Sequence, residues 1–216
     1  MRKIFIFICI VFLTLSAEAQ RVASFFYVMP EELIPQLETN RRKDIIDLYK
    51  HDKKGGVTNS LGGKSDVIEL SENYLEVGMS ASSTLQIKLL PWQQKDTTGT
   101  IITVIRTVCA PACNSTIEFY DTNWTRLKTE DFISLPTDKM MFKSESADSV
   151  SVKKALQLID ISLMRYDLAL GNDDLQFTTT IGDYMPEEYY KQIKPLLRES
   201  PLLYKWNGKC FVIKEQ

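Results

Sequence analysis

The chain has 216 residues, with 26 basic residues, 28 acidic residues, one histidine and a formal net charge of −2. This balance gives no electrostatic case for binding nucleic acid or an anionic membrane surface. The single histidine argues against most metal centres and most histidine-assisted nucleophiles, because such sites draw on several His or Cys ligands or on a histidine base. We therefore predict no cofactor and no metal site.

The N-terminus predicts export. Arg2 and Lys3 precede an apolar run at 4–15, and Ala17 and Ala19 form an A-x-A site with cleavage expected before Gln20. The run is shorter than the roughly 18 apolar residues that a membrane-spanning helix needs. We interpret residues 1–19 as a signal peptide and expect no transmembrane segment after cleavage. The expected location is the periplasm, the cell surface or the medium.

A short sequence recurs near the two ends of the remaining chain. Met29-Pro30-Glu31-Glu32 and Met185-Pro186-Glu187-Glu188 both place proline at a helix start and acids in the first turn. Each is followed later by a Gly-Lys turn and a Val-Ile strand, at 63–68 and 208–213. This predicts a duplicated helix-plus-hairpin unit, with both helices packed on sheet faces. Chance similarity of common helix-start and turn residues is the alternative.

The middle of the chain alternates apolar and polar residues with period two. Four strands are predicted at 74–79, 84–90, 100–108 and 115–120, with connections short enough for antiparallel neighbours. A helix at 151–160, a hairpin at 163–180 and a helix at 186–198 follow. The last helix carries an apolar stripe of Tyr189, Ile193, Leu196 and Leu197.

These elements predict an α+β fold built on antiparallel sheet. The helical region after Pro30 is expected to break at Pro35 and to restart at Asn40. We expect residues 20–216 to form a single α+β domain. That domain would contain two related halves, at about 20–135 and 136–216, if the duplication is real.

Three cysteines remain after signal cleavage. Cys109 and Cys113 flank a short loop between two strands, so they can face each other and form a disulfide. Cys210 lies beside Phe211 and is expected to be a buried free thiol in the final strand. A redox role for Cys109 and Cys113 is the alternative, although their spacing differs from C-x-x-C.

Two further patterns were weighed as binding sites. Asp121, Asn123 and Thr125 begin like a calcium loop, but Arg126 stands where the sixth position needs glycine, so a turn is predicted instead. Late aromatic residues could stack on sugar rings or hold a peptide if they share an exposed face. They include Tyr184, Tyr190 and Trp206. Core packing is the alternative for this set.

Several segments together resemble an uncharacterised family of exported proteins from Bacteroides and Prevotella relatives. They are TNSLGGKS at 58–65, YL at 74–75, LLP at 89–91, RTVCAP at 106–111 and FYDTNW at 119–124. The resemblance covers most of the mature chain. It implies an envelope or secreted location in Gram-negative bacteria, and it implies no activity.

The leading functional hypothesis is a non-enzymatic envelope or secreted module that binds a protein or a glycan. The competing hypothesis is a periplasmic hydrolase or thiol enzyme, whose acid pair or cysteine meets His51 only in the fold. An exposed His51 without a convergent cysteine or carboxylates would count against it. A third class, an inhibitor of a secreted hydrolase, predicts a protruding loop at 110–114.

Overall fold

A computed structural model describes residues 21–51, 55–94, 97–143 and 149–214. The predicted signal peptide at 1–19 and the cleavage site before Gln20 lie outside these ranges. The described chain contains four α-helices: α1 (Arg21–Tyr27), α2 (Thr39–Lys50), α3 (Val150–Gln157) and α4 (Glu187–Ile193). Short 3-10 helices lie at Glu31–Leu33, Thr129–Asp131, Asp138–Met141, Ile181–Asp183 and Lys194–Leu196. Among the helices described, none has both the length and the apolar character required to cross a membrane.

Seven strands form one antiparallel sheet in simple chain order, called the large sheet. They are β1 (Val57–Thr58), β2 (Lys64–Leu70), β3 (Tyr74–Ser80), β4 (Ser83–Gln94), β5 (Thr97–Cys109), β6 (Cys113–Tyr120) and β7 (Arg126–Leu127). Each of the four strands predicted from period-two alternation lies within one of β3 to β6. Short connections make every neighbour antiparallel.

Four later strands form a second antiparallel sheet, called the small sheet. They are β8 (Met164–Leu168), β9 (Asp174–Thr179), β10 (Leu202–Trp206) and β11 (Phe211–Ile213), in the spatial order β11-β10-β9-β8. The helices and the two antiparallel sheets confirm the predicted α+β class. The predicted hairpin at 163–180 corresponds to β8 and β9.

The sheets and helices pack in layers. One face of the large sheet packs on α1 and α2, whose Phe26 and Ile46 are fully buried against strand residues such as Val77 and Ile87. The opposite face packs on the small sheet, where Ile105 meets Phe177 in a second core cluster. Both faces of the central strands are therefore covered, and all residues at 101–105 of β5 are buried.

Side chains of the large sheet satisfy the outer backbone edge of β8. Three N–H groups at alternate positions of β8 donate to side-chain oxygens. The pairs are Met164 with Asn114, Tyr166 with Ser115 and Leu168 with Gln86, at 3.4, 3.0 and 2.9 Å. Hydrogen bonds as well as apolar contacts therefore hold the small sheet against the large sheet.

A buried lysine holds the turn between β8 and β9. The Lys88 ammonium on β4 donates to the carbonyl oxygens of Ala169 and Asn172 and lies 3.6 Å from the Asp173 carboxylate. Burial lowers the pKa of Lys88, while Asp173 opposes that shift. The lysine thus connects the two sheets at the end opposite the β5–β6 loop.

The duplicated unit is not confirmed. Pro30 and Pro186 adopt nearly the same φ and ψ, −53° and 140° against −52° and 138°. Pro30, however, leads into a single 3-10 turn, whereas Pro186 leads into α4. The helix after Pro186 was expected to pack on a sheet face. Instead, Ile193 of α4 packs with Val152 of α3 in a third cluster.

Two local predictions were wrong. Cys210 is half-buried in the turn before β11, where Asn207 contacts its sulfur at 3.7 Å, because the strand begins one residue later. Tyr189 is exposed, although it was placed on the apolar stripe of the last helix. The α-helix ends at Ile193 and a 3-10 turn containing Pro195 follows, so the α-helical spacing does not extend to Leu196 and Leu197.

Candidate functional site at the free edge of strand β6

Most of strand β6 has a partner on one side only. On the far side, β7 pairs with β6 at just two positions, Phe119 with Leu127 and Tyr120 with Arg126. The chain then turns away into the 3-10 helix Thr129–Asp131. Among the described residues, no strand pairs through its backbone with the stretch 114–118 of β6 on this side, although β8 contacts the stretch through the side chains of Asn114 and Ser115.

The alternation of the backbone shows which groups point out from this edge. The carbonyl of Cys113 faces outward, because it accepts a hydrogen bond from the Thr180 hydroxyl. Phe119 also faces outward, toward β7. Backbone groups alternate with period two along a strand, so Ser115 and Ile117 direct their N–H and C=O groups to the same side.

This edge forms the floor of a cleft of about 720 Å³, here called the edge cleft. One wall contains residues of the 3-10 turn Glu31–Leu33, of β5 and of β7. The other wall contains β8 and Ser162, which precedes it. Its lining residues are Glu32, Leu33, Arg106, Asn114, Ser115, Thr116, Ile117, Glu118, Arg126, Thr129, Glu130, Leu135, Ser162, Met164 and Tyr166.

A charged network occupies the cleft wall on the helical side of the large sheet. The Glu118 carboxylate accepts hydrogen bonds from Arg106 at 2.6 Å and from the Tyr120 hydroxyl at 2.9 Å. Its other oxygen lies 2.9 Å from Arg126. Arg106 also donates to the Leu33 carbonyl at 3.0 Å. These contacts fix the two guanidinium groups in charge-assisted geometry.

Burial raises the pKa of Tyr120, and the nearby Glu118 carboxylate raises it further, while Arg106 acts in the opposite direction. The Tyr120 hydroxyl therefore remains a hydrogen-bond donor at neutral pH. Arg126 is the most accessible member of the network, with 66% of its side chain exposed. Of the two guanidinium groups, it is the one better placed to meet a ligand.

The loop between β6 and β7 supports this network from behind. Asp121 accepts hydrogen bonds from the N–H groups of Asn123 and Thr125 at 2.8 and 2.9 Å. This carboxylate is thus occupied by its own turn, as the rejection of a calcium loop predicted. Trp124 has φ of 63°, which is strained for a bulky residue, and its ring packs on Tyr120 with centroids 5.4 Å apart.

The cleft offers a surface for recognition. Its described lining includes no histidine, cysteine or lysine. The hydroxyl of Ser115 is already engaged by Thr107 at 2.7 Å and by the N–H of Tyr166. A nucleophile needs a base within hydrogen-bond reach, and Ser115 has hydrogen-bonding partners with no basic side chain among them.

The aromatic residues considered from the sequence do not share an exposed face. Trp206 is buried, with 5% exposed, and its indole N–H donates to the Pro91 carbonyl at 2.7 Å. Tyr190 is half-buried against Gly182, with the Lys194 ammonium 5.9 Å from its ring centre. Tyr184 is exposed. Trp206 is therefore a core residue, as the alternative predicted. The ring of Tyr190 is already in contact with Gly182 and lies near the Lys194 ammonium.

The residues of the enzyme hypothesis lie apart. His51 is exposed at the end of α2, with its Nδ1 2.8 Å from the Asp47 carbonyl. Cys109 and Cys113 are bonded to each other across the β5–β6 loop, with Cα atoms 3.9 Å apart. Cys210 lies in the β10–β11 turn. In the described ranges, no group of three or more His, Cys, Asp or Glu residues is arranged to hold a metal.

Arg106, Glu118 and Arg126 were not predicted as site residues from the sequence. A signal was available for Arg106, which is a charged residue on the strand face that carries Ile102 and Val104. The free edge itself has no local signal, because it depends on the length of β7.

The chain matches a protein family by sequence and a solved domain by structure. A family model described as "Protein of unknown function (DUF3256)" matches residues 14–211. A solved domain of an uncharacterized protein from Porphyromonas gingivalis W83 is similar in structure, with a TM-score of 0.75 and 25% identity over 90% of this chain and 99% of that one. None of the curated proteins matches the chain. The resemblance to an uncharacterised family is confirmed in this general form.

Proposed function

We propose that this chain, which belongs to the DUF3256 family of proteins of unknown function, is an exported, non-enzymatic module that binds a partner protein in the edge cleft. The observation that carries the proposal is the open strand edge of β6 on the floor of a cleft of about 720 Å³. A cleft of this size with a few convergent polar groups is the usual form of a binding site.

Two features support an exported location in the periplasm, at the cell surface or in the medium. The first is the signal-like sequence at 1–19, with cleavage before Gln20. The second is the Cys109–Cys113 disulfide, since such bonds persist mainly in oxidising compartments. The shared core between the two sheets supports one domain over residues 20–216. A duplication relating the two ends remains part of this proposal, supported by the matching proline geometry.

The lining of the cleft favours a protein over a glycan. Sugar rings are usually bound by exposed aromatic faces and several polar side chains. The aromatic residue in the described lining is Tyr166, which is 9% exposed and packs on Phe177 with ring centroids 4.5 Å apart. Backbone groups and arginine pairs are typical of protein recognition.

Site-specific crosslinking tests the proposal. A photo-crosslinking residue in place of Thr116, which is exposed on the cleft floor, should yield a discrete protein adduct in the cells that produce the chain. The matched control replaces Lys205, which is exposed on β10 away from the cleft lining. The same adduct should weaken in the Arg126→Glu variant.

Two results would overturn the proposal. One is equal labelling from Thr116 and Lys205, which would show that the cleft has no special role. The other is binding of a purified glycan that is lost in Arg126→Glu, which would identify the cleft as a sugar site. Neither result depends on the identity of the partner.

A further inference from the structure

The edge of β6 presents four backbone groups that have no hydrogen-bond partner within the described ranges of the chain. Ser115 and Ile117 lie on the floor of the edge cleft, each with 5% of its surface exposed, and each directs one N–H and one C=O group away from β5; none of these groups hydrogen-bonds to another described residue. Unpaired N–H and C=O groups along a strand are a template for another strand. The cleft therefore carries a preformed half of a β-ladder.

The ends of this open stretch are closed by the protein itself. Thr180 binds the Cys113 carbonyl at one end, and Leu127 of β7 pairs with Phe119 at the other. Five residues, 114–118, remain between them, which corresponds to about 17 Å of strand. The open stretch is therefore long enough for a peptide of four to six residues.

The β6 edge differs from the other partly free edge of the large sheet. Strand β2 pairs with β1 only at Ser65 and Lys64, so its later part is also free. That part is interrupted by a bulge between Val67 and Glu69. A bulge of this kind blocks strand addition, and such features are common on protected edges. In contrast, β6 keeps an unbroken register with β5 through eight residue pairs.

The two sides of the cleft differ in chemistry. Ile117 belongs to the core cluster that contains Met164 and Tyr166 of the small sheet. Glu118 lies on the opposite face with Arg106 and Arg126. Alternate side chains of an added strand would face these two sides. Apolar side chains suit the first side, and polar or charged side chains suit the second.

We propose that the partner contributes an extended segment of alternating apolar and polar residues, which adds to β6 as a strand and hydrogen-bonds to the backbone of Ser115 and Ile117. This inference rests on the proposed function and specifies its recognition mode. The segment continues the line of β7, so it runs antiparallel to β6. Strand addition explains why a recognition cleft would need so few side chains of its own.

Backbone methylation of a bound peptide tests this mode directly. Octapeptides selected by display on the purified mature protein are resynthesised with a single N-methyl group at each position in turn. Strand pairing uses every second N–H of the added segment. Methylation should therefore weaken binding about tenfold or more at alternate positions, and only slightly at the positions between them.

A proline variant tests the same contact from the protein side. In Ile117→Pro, the outward N–H is lost, while the ladder to β5 at the flanking residues is retained. Peptide affinity should fall about tenfold. Ile213→Pro, at an exposed position of β11, is the control for a proline in a strand away from the cleft, and it should leave affinity unchanged. A change in unfolding midpoint shows whether either variant is misfolded, and in that case the methylation pattern decides alone.

Strand addition is refuted if no selected peptide depends on the cleft, if methylation acts uniformly along the peptide, or if a folded Ile117→Pro variant binds with unchanged affinity. Crosslinking from Thr116 separates this failure from a failure of the proposed function. A protein adduct at Thr116 without a period-two methylation pattern would keep the binding role and exclude the strand mode.

Discussion

Replacing Thr103 by valine should stabilise the protein. Thr103 lies on β5 between Lys88 and Phe119 on the face toward the small sheet, and its side chain is completely buried. Its hydroxyl oxygen has no hydrogen-bond partner in the described chain. Burying a hydroxyl without a partner costs about 1–3 kcal/mol in protein mutational data. Valine has nearly the same shape and a similar preference for strands.

The free energy of unfolding of Thr103→Val should therefore rise by about 1 kcal/mol or more, which corresponds to about 2–4 °C in Tm per kcal/mol for a chain of this size. Urea unfolding followed by circular dichroism measures the change, with an unchanged m-value as a check on the two-state model. The matched control is Thr107→Val, four residues further along β5 on the same face.

Thr107 is also buried, but its hydroxyl bonds to Ser115 at 2.7 Å. Its replacement should lower the free energy of unfolding by about 1 kcal/mol. The opposite signs of the two changes are the test, because both remove the same atoms from the same face. If Thr103→Val destabilised the protein as much as Thr107→Val, the buried hydroxyl would have an unrecognised partner and the reasoning would be wrong.

Three further predictions concern the disulfide, the turn after β6 and the buried Tyr74. Replacing Cys109 and Cys113 together by serine should cost about 2 kcal/mol, since the bond closes a very short loop, and mass mapping without reduction should find Cys210 as the free thiol. Trp124→Gly should be about 1 kcal/mol more stable than Trp124→Ala in urea unfolding, because only glycine adopts its positive φ freely. Burial and Glu76 raise the pKa of Tyr74 in the folded protein. As pH rises above about 10, this tyrosine therefore loses its proton first in the unfolded state, and the free energy of unfolding should fall. The fall should be less steep in Tyr74→Phe.

Much of the architecture could be predicted from the sequence because it follows local rules. Strands β3 to β6 contain period-two stretches rich in β-branched and aromatic residues, and their connections are too short for anything except antiparallel neighbours. The first helix, Arg21–Tyr27, was missed because seven residues give fewer than two full turns of periodic signal. The half-buried position of Cys210 was missed because a one-residue shift in strand start changes its environment.

The candidate site could not be predicted in the same way. It depends on the pairing of Glu118 with Arg106 and Arg126, which come from three different strands. It also depends on residues of β8, such as Tyr166, that are distant in sequence from β6. Such contacts are set by the docking of two sheets, and alternation of residues within one strand contains no information about that docking.

The open edge of β6 follows from how the two sheets meet. The small sheet has an exposed edge of its own at β8, and the fold satisfies it with side chains from the face of the large sheet, among them Asn114 and Ser115 of β6. This arrangement uses the side chains of β6 and leaves its backbone free. A longer β7 would have closed that edge, but the chain turns into the 3-10 helix Thr129–Asp131 after two residue pairs. Extending β7 by design should therefore abolish peptide binding while preserving the fold, and retention of binding in such a variant would place the site elsewhere.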